Sequence, residues 1–368
     1  MQNRYLSLDV FRGLTVTLMI VVNTPGNYET TFAPLKHATW DGFTPTDLVF
    51  PSFLFAVGNA MSFTLPKYQL LGSQAFIFKI LKRTALIFLL GYLMYWFPFF
   101  YSNEQGGFSF SPIGETRIFG VLQRIGLCYG LAGLILYFFK ERGALIFCVL
   151  ALFGYWLLLL TFGDLTLAGN AVTKLDTFLF GTSHLYKGYG IPFDPEGLLS
   201  TLPAVVNVIA GYFAGKFIRE KGNSYETITI LMVSGAFLLF GAYLWNMVFP
   251  INKPIWSSSY VLHTVGLDLL ILPILIFVIE IRKINNWTYF FEVFGRNTLF
   301  CYLLSELFIP VFSMIKIGGQ PLFPWTFNHV FSPVFGDYMG SLMFAISYML
   351  LVWLAGYFLD KRKIYIKV

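Results

Sequence analysis

The chain has 368 residues, of which 57% are hydrophobic, 19% aromatic and only 12% charged, with a mean hydropathy of +0.68. That much apolar surface exceeds what one soluble core can hide, so a soluble globular domain is excluded and lipid is the solvent. The net charge of +6 comes from basic residues scattered singly among short connections, which excludes a nucleic-acid partner and fits a loop bias instead.

Apolar stretches of about 20 residues predict ten spans. They fall near 7–24, 44–66, 80–100, 117–139, 144–162, 197–218, 226–249, 259–279, 288–309 and 338–359. The first is read as an uncleaved span, because no small-residue cleavage site flanks it. The piece 310–316 is too short to cross, and eleven spans is the alternative count. The expected fold is therefore all-α, a polytopic membrane bundle forming a single domain over 1–368. Most of the 25 Lys and Arg, among them Lys79, Lys82, Arg83, Lys216, Arg219 and Lys361, fall on one side if both termini are cytoplasmic. The four histidines, His37, His184, His263 and His329, then lie on or near the outer side. Cys128, Cys148 and Cys301 all sit inside apolar stretches without ligand spacing, so no metal is expected.

Ionisable groups at membrane depth are costly and usually face a bundle interior. On the first span Asp9 and Arg12 stand i, i+3 and can neutralise one another, while Arg12 also shares a face with Asn23, roughly 16 Å along the axis. On the fourth span Arg117 and Arg124 are seven residues apart, roughly 10 Å, with Gln123 beside them. Two guanidiniums on one stripe suit a polyanion such as a pyrophosphate, although Arg117 can equally be an interface anchor.

The run from His37 to Pro51 carries the richest chemistry. Thr44 or Thr46 can cap the second helix, Pro45 suits its first turn, and Asp47 sits at the positive end of its dipole. His37, with Trp40 and Asp41, lies on the same outer connection, and an imidazole oriented by a carboxylate is an arrangement for a general base or an acyl-accepting nucleophile. Further along, Asp194-Pro195-Glu196-Gly197 reads as a helix start, with Asp capping and Pro at the first helical position. Asn297 and Glu306 lie on the ninth span, where amides commonly join helices and Glu306 exceeds that reading.

Taken together, Leu8-Asp9-Val10-Phe11-Arg12-Gly13, Val22-Asn23, His37-Ala38-Thr39-Trp40-Asp41-Gly42, Asp47-Leu48-Val49-Phe50-Pro51 and Arg117 to Ile125 resemble the heparan-α-glucosaminide N-acetyltransferase family. So do Asp194 to Gly197, Lys253 to Leu262 and Gly295-Arg296-Asn297-Thr298, in family order over almost the whole length. The resemblance implies a polytopic enzyme that moves acetyl from cytoplasmic acetyl-CoA to the amine of a glucosamine-type glycan across the bilayer. It assigns catalysis to His37, Asn23 and Asp47. Arg124, Arg117, Arg12 and Gln123 are then expected to hold acetyl-CoA, and Asp41, Trp40, Asp194, Glu196, Asn297 and Glu306 the acceptor. Because the match begins near residue 1, the expectation is a bacterial inner-membrane member without the luminal N-terminal domain of lysosomal members. A sugar or lipid-linked sugar transporter and a polysaccharide O-acyltransferase are the rival readings, and a homodimer stays open.

Overall fold

The computed structural model describes residues 5–70, 72–102 and 107–366. Hydropathy lays down long helices in chain order: α1 (Leu6–Asn23), α2 (Pro45–Gln69), α3 (Ser73–Trp96), α4 (Val121–Phe138), α5 (Lys140–Phe162), α6 (Ala171–Phe180), α7 (Thr201–Lys221), α8 (Tyr225–Asn246) and α9 (Ser258–Leu275). The chain continues through α10 (Thr288–Arg296), α11 (Thr298–Met314), the short α12 (Leu322–Thr326) and α13 (Ser332–Phe335), and α14 (Asp337–Lys361). Two small antiparallel hairpins, Phe100–Ser102 with Phe108–Phe110 and Lys316–Ile317 with Gln320–Pro321, are the described strands.

Among the described residues, eight helices are long and apolar enough to cross a membrane: α1, α2, α4, α5, α7, α8, α9 with its continuation to Ile281, and α14. The expected ninth span is a bent pair, α10 and α11, that meet at 83°. The expected third span lies on α3, whose first half carries Lys79, Lys82 and Arg83. Three predicted boundaries move. Residues 310–314 are the last turn of α11 rather than a separate piece. The fourth helix starts at Val121, so Arg117 precedes it and does not share a helix face with Arg124. The run from Asp194 to Gly197 is a turn that ends four residues before α7, which begins at Thr201.

The centre of the bundle is α2 against α7 and α9. A Cβ on Gly58 would stand 1.9 Å from the Val208 carbonyl oxygen, and one on Gly211 would stand 2.0 Å from that of Phe55. Only glycine on both helices permits so close a backbone approach. Leu54, Phe55, Val208, Ile209, Tyr260 and Val261 fill the contact and are buried. By contrast α5 and α8 turn Leu150, Phe153, Leu157, Phe237 and Phe240 outward, as lipid-facing helices do. A cavity of about 1010 Å³ opens between α5, α7, α8 and α9, and its walls are almost wholly apolar. None of the sequence-predicted site residues lines it.

Candidate active site

The helix start predicted at Thr44 forms as expected, and it builds the site. Thr44 takes extended backbone as the N-cap of α2, Pro45 opens the helix, and Asp47 falls at the third helical position. One oxygen of Asp47, Oδ2, accepts the Thr44 backbone N–H (3.0 Å), the Thr44 hydroxyl (3.0 Å) and the Ala38 backbone N–H (3.1 Å). The carboxylate is 0% exposed, so these bonds replace the water it has lost. Its other oxygen, Oδ1, accepts a hydrogen bond from His37 Nδ1 at 2.7 Å. With Nδ1 donating, Nε2 is the unprotonated ring nitrogen and can accept. The Tyr260 hydroxyl donates to the Asp47 carbonyl at 2.6 Å and locks this turn to α9.

Lys253 completes the cluster, and sequence reasoning missed it as a site residue. Its Nζ lies 3.0 Å from Nδ1 and 3.1 Å from Nε2 of His37, and 3.8 Å from Asp47 Oδ1. Near-equal distances to both ring nitrogens put the ammonium against the ring face rather than on one lone pair. Lys253 begins a turn closed by Trp256 N–H to its own carbonyl at 2.9 Å. Trp256 sits at φ +54°, uncommon for a bulky residue. Its indole donates to Asn207 Oδ1 at 3.1 Å and lies under the Arg124 guanidinium at 4.8 Å, which holds the turn. Burial pushes the Lys253 pKa below its ordinary 10.5, against the pull of Asp47 and Glu196. Burial likewise lowers His37 below 6.5, and Lys253 adds to that lowering while the Asp47 bond opposes it. His37 is therefore neutral, and able to accept a proton, at neutral pH. The only signal for Lys253 was its place in the run Lys253-Pro254-Ile255-Trp256.

A second charged cluster surrounds the turn 194–200. Arg117 donates from Nε to Asp194 Oδ2 (2.8 Å) and from Nη2 to Asp194 Oδ1 (2.7 Å) and Glu196 Oε2 (2.6 Å). Its Nη1 donates to the Tyr95 hydroxyl at 3.2 Å, and the guanidinium is sandwiched between the Tyr95 and Tyr186 rings. Asp194 caps a turn rather than a helix: its Oδ1 accepts the Glu196 N–H at 3.0 Å while both its oxygens pair with Arg117. Burial raises the Asp194 carboxyl, with Arg117 drawing it back down. Arg124 is 0% exposed and donates from Nη2 to the Gly197 carbonyl at 3.0 Å and to Ser200 Oγ. Arg124 Nη2 is thus met by the chain's own acceptors, whereas its buried Nε and Nη1 have no hydrogen-bond partner. Asp176, for which the sequence gave no signal, accepts the Leu198 N–H at 3.1 Å against Gly197, and burial raises its pKa to about 7. Glu196 is within electrostatic reach of both His37 and Lys253, so the two clusters share one field.

The other predicted residues spread out. Asn23 donates to Glu306 Oε1 at 3.5 Å, and among the described residues the polar side-chain partners of His37 are Asp47 and Lys253. Asp41 does not meet His37 either: it accepts from Asn252 Nδ2 at 3.1 Å and bridges to the loop that carries Lys253. Trp40 donates to the Leu165 carbonyl at 2.9 Å and packs edge-on against Tyr189 and Phe193. Arg12 pairs with Asp9 at 2.9 Å and donates to the Gly295 carbonyl at 2.8 Å. Asn297, in the bend between α10 and α11, ties down the C-terminal segment through Ile364 and Ile366, both at 3.0 Å. Arg12 and Asn297 therefore lie toward the opposite end of α1 from Asn23. Gln123 is 0% exposed, with neither amide atom partnered. The remaining histidines make local contacts: His184 with the Thr116 carbonyl, His263 with the Phe43 ring, His329 with Trp325. Among the described residues no three His, Cys, Asp or Glu are grouped so as to hold a metal ion.

A family model described as "Heparan-alpha-glucosaminide N-acetyltransferase, catalytic" matches residues 4–231, the segment that contains both clusters apart from Lys253. The heparan-alpha-glucosaminide N-acetyltransferase of Homo sapiens is 27% identical over 365 residues, covering 83% of this chain and 53% of its own. That of Mus musculus is 26% identical over 370 residues, with 83% and 54% covered. The chain thus spans about half the length of the curated relatives it matches.

Proposed function

The chain belongs to the heparan-alpha-glucosaminide N-acetyltransferase family, and on that premise we propose that it is a transmembrane N-acetyltransferase in which His37 is the general base. The observation that carries this reading is the buried Asp47 carboxylate bonded to His37 Nδ1, which leaves Nε2 to take a proton. The donor in this reading is cytoplasmic acetyl-CoA, and the acceptor is the amine of a glucosamine-type sugar at the His37 end of the bundle. In this reading both termini face the cytoplasm, on the Lys and Arg distribution described above.

In the reaction, the acceptor amine attacks the thioester carbonyl carbon while His37 Nε2 removes its proton. The C–N bond forms, the carbonyl oxygen becomes an oxyanion, and collapse breaks the C–S bond. The thiolate leaves, and the proton on His37 passes to it. Asp47 stabilises the transient imidazolium, as the carboxylate of a catalytic triad does. Lys253, against the ring, supplies positive charge for the oxyanion in a site with little water. Asn23 and Glu306, already bonded to each other, present an amide and a carboxylate to the sugar's hydroxyl and amine groups.

Purified protein incubated with labelled acetyl-CoA and glucosamine is expected to form labelled N-acetylglucosamine. Without acceptor, no acetyl group is expected to remain on the protein. Labelled His37 under those conditions would replace the base role with an acyl-imidazole, and no acetylated sugar would end the proposal.

A further inference from the structure

The apolar cavity of about 1010 Å³ between α5, α7, α8 and α9 takes no part in the reaction drawn above. Glu141 and Lys216 stand at one end of it, Trp156 and Trp245 at the other. From Glu141 to Trp156 is fifteen residues of α5, about 22 Å, whereas one leaflet of a bilayer offers about 15 Å of hydrocarbon. Val149 and Phe153 of α5 and Ile230 and Leu244 of α8 line the cavity and are also exposed, so it opens sideways toward lipid as a groove. Its two ends differ. At the first, Lys216 is matched by Glu141 and Glu220. At the second, the buried Nε1 atoms of Trp156 and Trp245 have no hydrogen-bond partner among the described residues. That end also adjoins the turn that carries Lys253. Trp156 stacks on Phe249, and the Tyr155 hydroxyl donates to the carbonyl of Ile255, two residues after Lys253.

We propose that this groove seats the hydrocarbon tail of a lipid-linked amino sugar, which makes the acetyl acceptor a membrane lipid with its head at the Lys253 turn. The assignment rests on the acetyltransferase reading above and names the class of its acceptor. Walls that are apolar over about 22 Å give a soluble sugar nothing to bind and fit a single long tail. Because the groove is longer than a leaflet is deep, it suits a tail longer than an ordinary acyl chain. Lipid is as apolar as these walls, so they hold a tail by close packing, and the gain is that its head is restrained beside the reacting groups. The polar end of the ligand belongs at Trp156 and Trp245, since the charges at the other end are already paired. A turn of either indole ring offers its N–H to an oxygen of the linkage between tail and sugar. From Trp245 the chain needs eight more residues to reach Lys253, whose Nζ touches the His37 ring.

The test fills the groove from its own wall. A Cβ on Gly241 would meet nothing closer than Leu262 at 3.9 Å, and Ser234, two turns earlier on α8, is an exposed lining residue, so both positions accept a ring. Wild type, Gly241→Phe, Ser234→Phe and the control Gly154→Phe, which lies outside the groove, are purified in detergent and checked by gel filtration. Each is assayed with labelled acetyl-CoA and with glucosamine, octyl glucosaminide and dodecyl glucosaminide as acceptors. In wild type and Gly154→Phe, KM is expected to fall as the chain lengthens, by about tenfold or more from glucosamine to the dodecyl compound. In Gly241→Phe and Ser234→Phe that ratio is expected to collapse toward one, with kcat and KM for glucosamine unchanged. Transfer to glucosamine with a KM indifferent to the chain overturns this assignment and leaves the acetyltransferase reading standing. A chain effect that survives in both groove variants shows that the tail acts elsewhere and also overturns it. So does a groove variant that elutes as a smaller assembly while keeping the chain effect, because the groove then holds a second copy of the chain. No transfer to any of the three acceptors defeats the acetyltransferase reading, and this assignment with it.

Discussion

Asp47 divides its two oxygens between two tasks: Oδ2 closes the start of α2 and Oδ1 orients His37. One side chain therefore fixes both the helix that carries the site and the tautomer of the base. Asp47→Asn is expected to keep the fold, since an amide oxygen can still accept the backbone N–H groups. It is expected to cost about 10³-fold or more in kcat, by the loss seen when a triad carboxylate becomes an amide. Asp47→Ala should add about 1 kcal/mol of lost capping, read as a lower unfolding midpoint. Equal activity of Asp47→Asn and wild type would remove the orienting role.

His37→Ala and His37→Gln are expected to abolish acetyl transfer while the protein keeps its elution volume and helical circular dichroism. The side chain is 39% exposed and bonds only polar partners, so its removal leaves no apolar cavity. Retained transfer in either variant would rule out His37 as the reacting base.

The pH profile follows from the sign of the His37 shift. Its pKa is below 6.5, so kcat/KM should rise with pH along a limb that lies below 6.5 and stay flat through neutrality. Removing a nearby positive charge makes protonation easier. Lys253→Met should therefore move that limb to higher pH and reduce kcat through loss of charge at the oxyanion. A limb that stays in place would show that burial alone sets it.

Arg117 is predicted to matter for stability first. Arg117→Ala strands Asp194 and Glu196 as buried carboxylates without a partner, a change worth about 3–5 kcal/mol. Arg117→Lys cannot reproduce the bidentate pair or the stacking between Tyr95 and Tyr186, so it should recover only part of the loss. Thermal unfolding in detergent reads both.

Gly58→Val is expected to prevent folding or sharply reduce yield, because its Cβ would meet the Val208 carbonyl at 1.9 Å. Gly154→Ala, where nothing lies within 4 Å, is the matched control and should express normally.

Much of this was legible in the sequence because the signals are local. Hydropathy alone marks the long helices, and the Thr44-Pro45-Thr46-Asp47 spacing is a helix start whose carboxylate sits within ten residues of His37. The illegible parts are those decided by distant partners. Lys253 reaches His37 across 216 residues of chain. Asp41, nearer His37 in sequence than Asp47, is drawn away by Asn252. The turn at Asp194 reads locally as a cap, and the sequence does not show that the same carboxylate also takes a bidentate bond from Arg117, 77 residues away. Arg117 and Arg124 counted as one helix face until the extended backbone at Gly120 placed the helix start between them.

The loop ahead of α9 and the loop ahead of α2 are stitched together at Asp41–Asn252 and by Gly42 N–H to the Ile251 carbonyl at 2.8 Å. Lys253 is the next residue after the stitch. Any sliding of α9 along α2 would drag the ammonium across the imidazole and change how readily His37 takes a proton. The basicity of the site is thereby geared to the spacing of two helices, so a movement that admits a substrate could also set the pace of the chemistry.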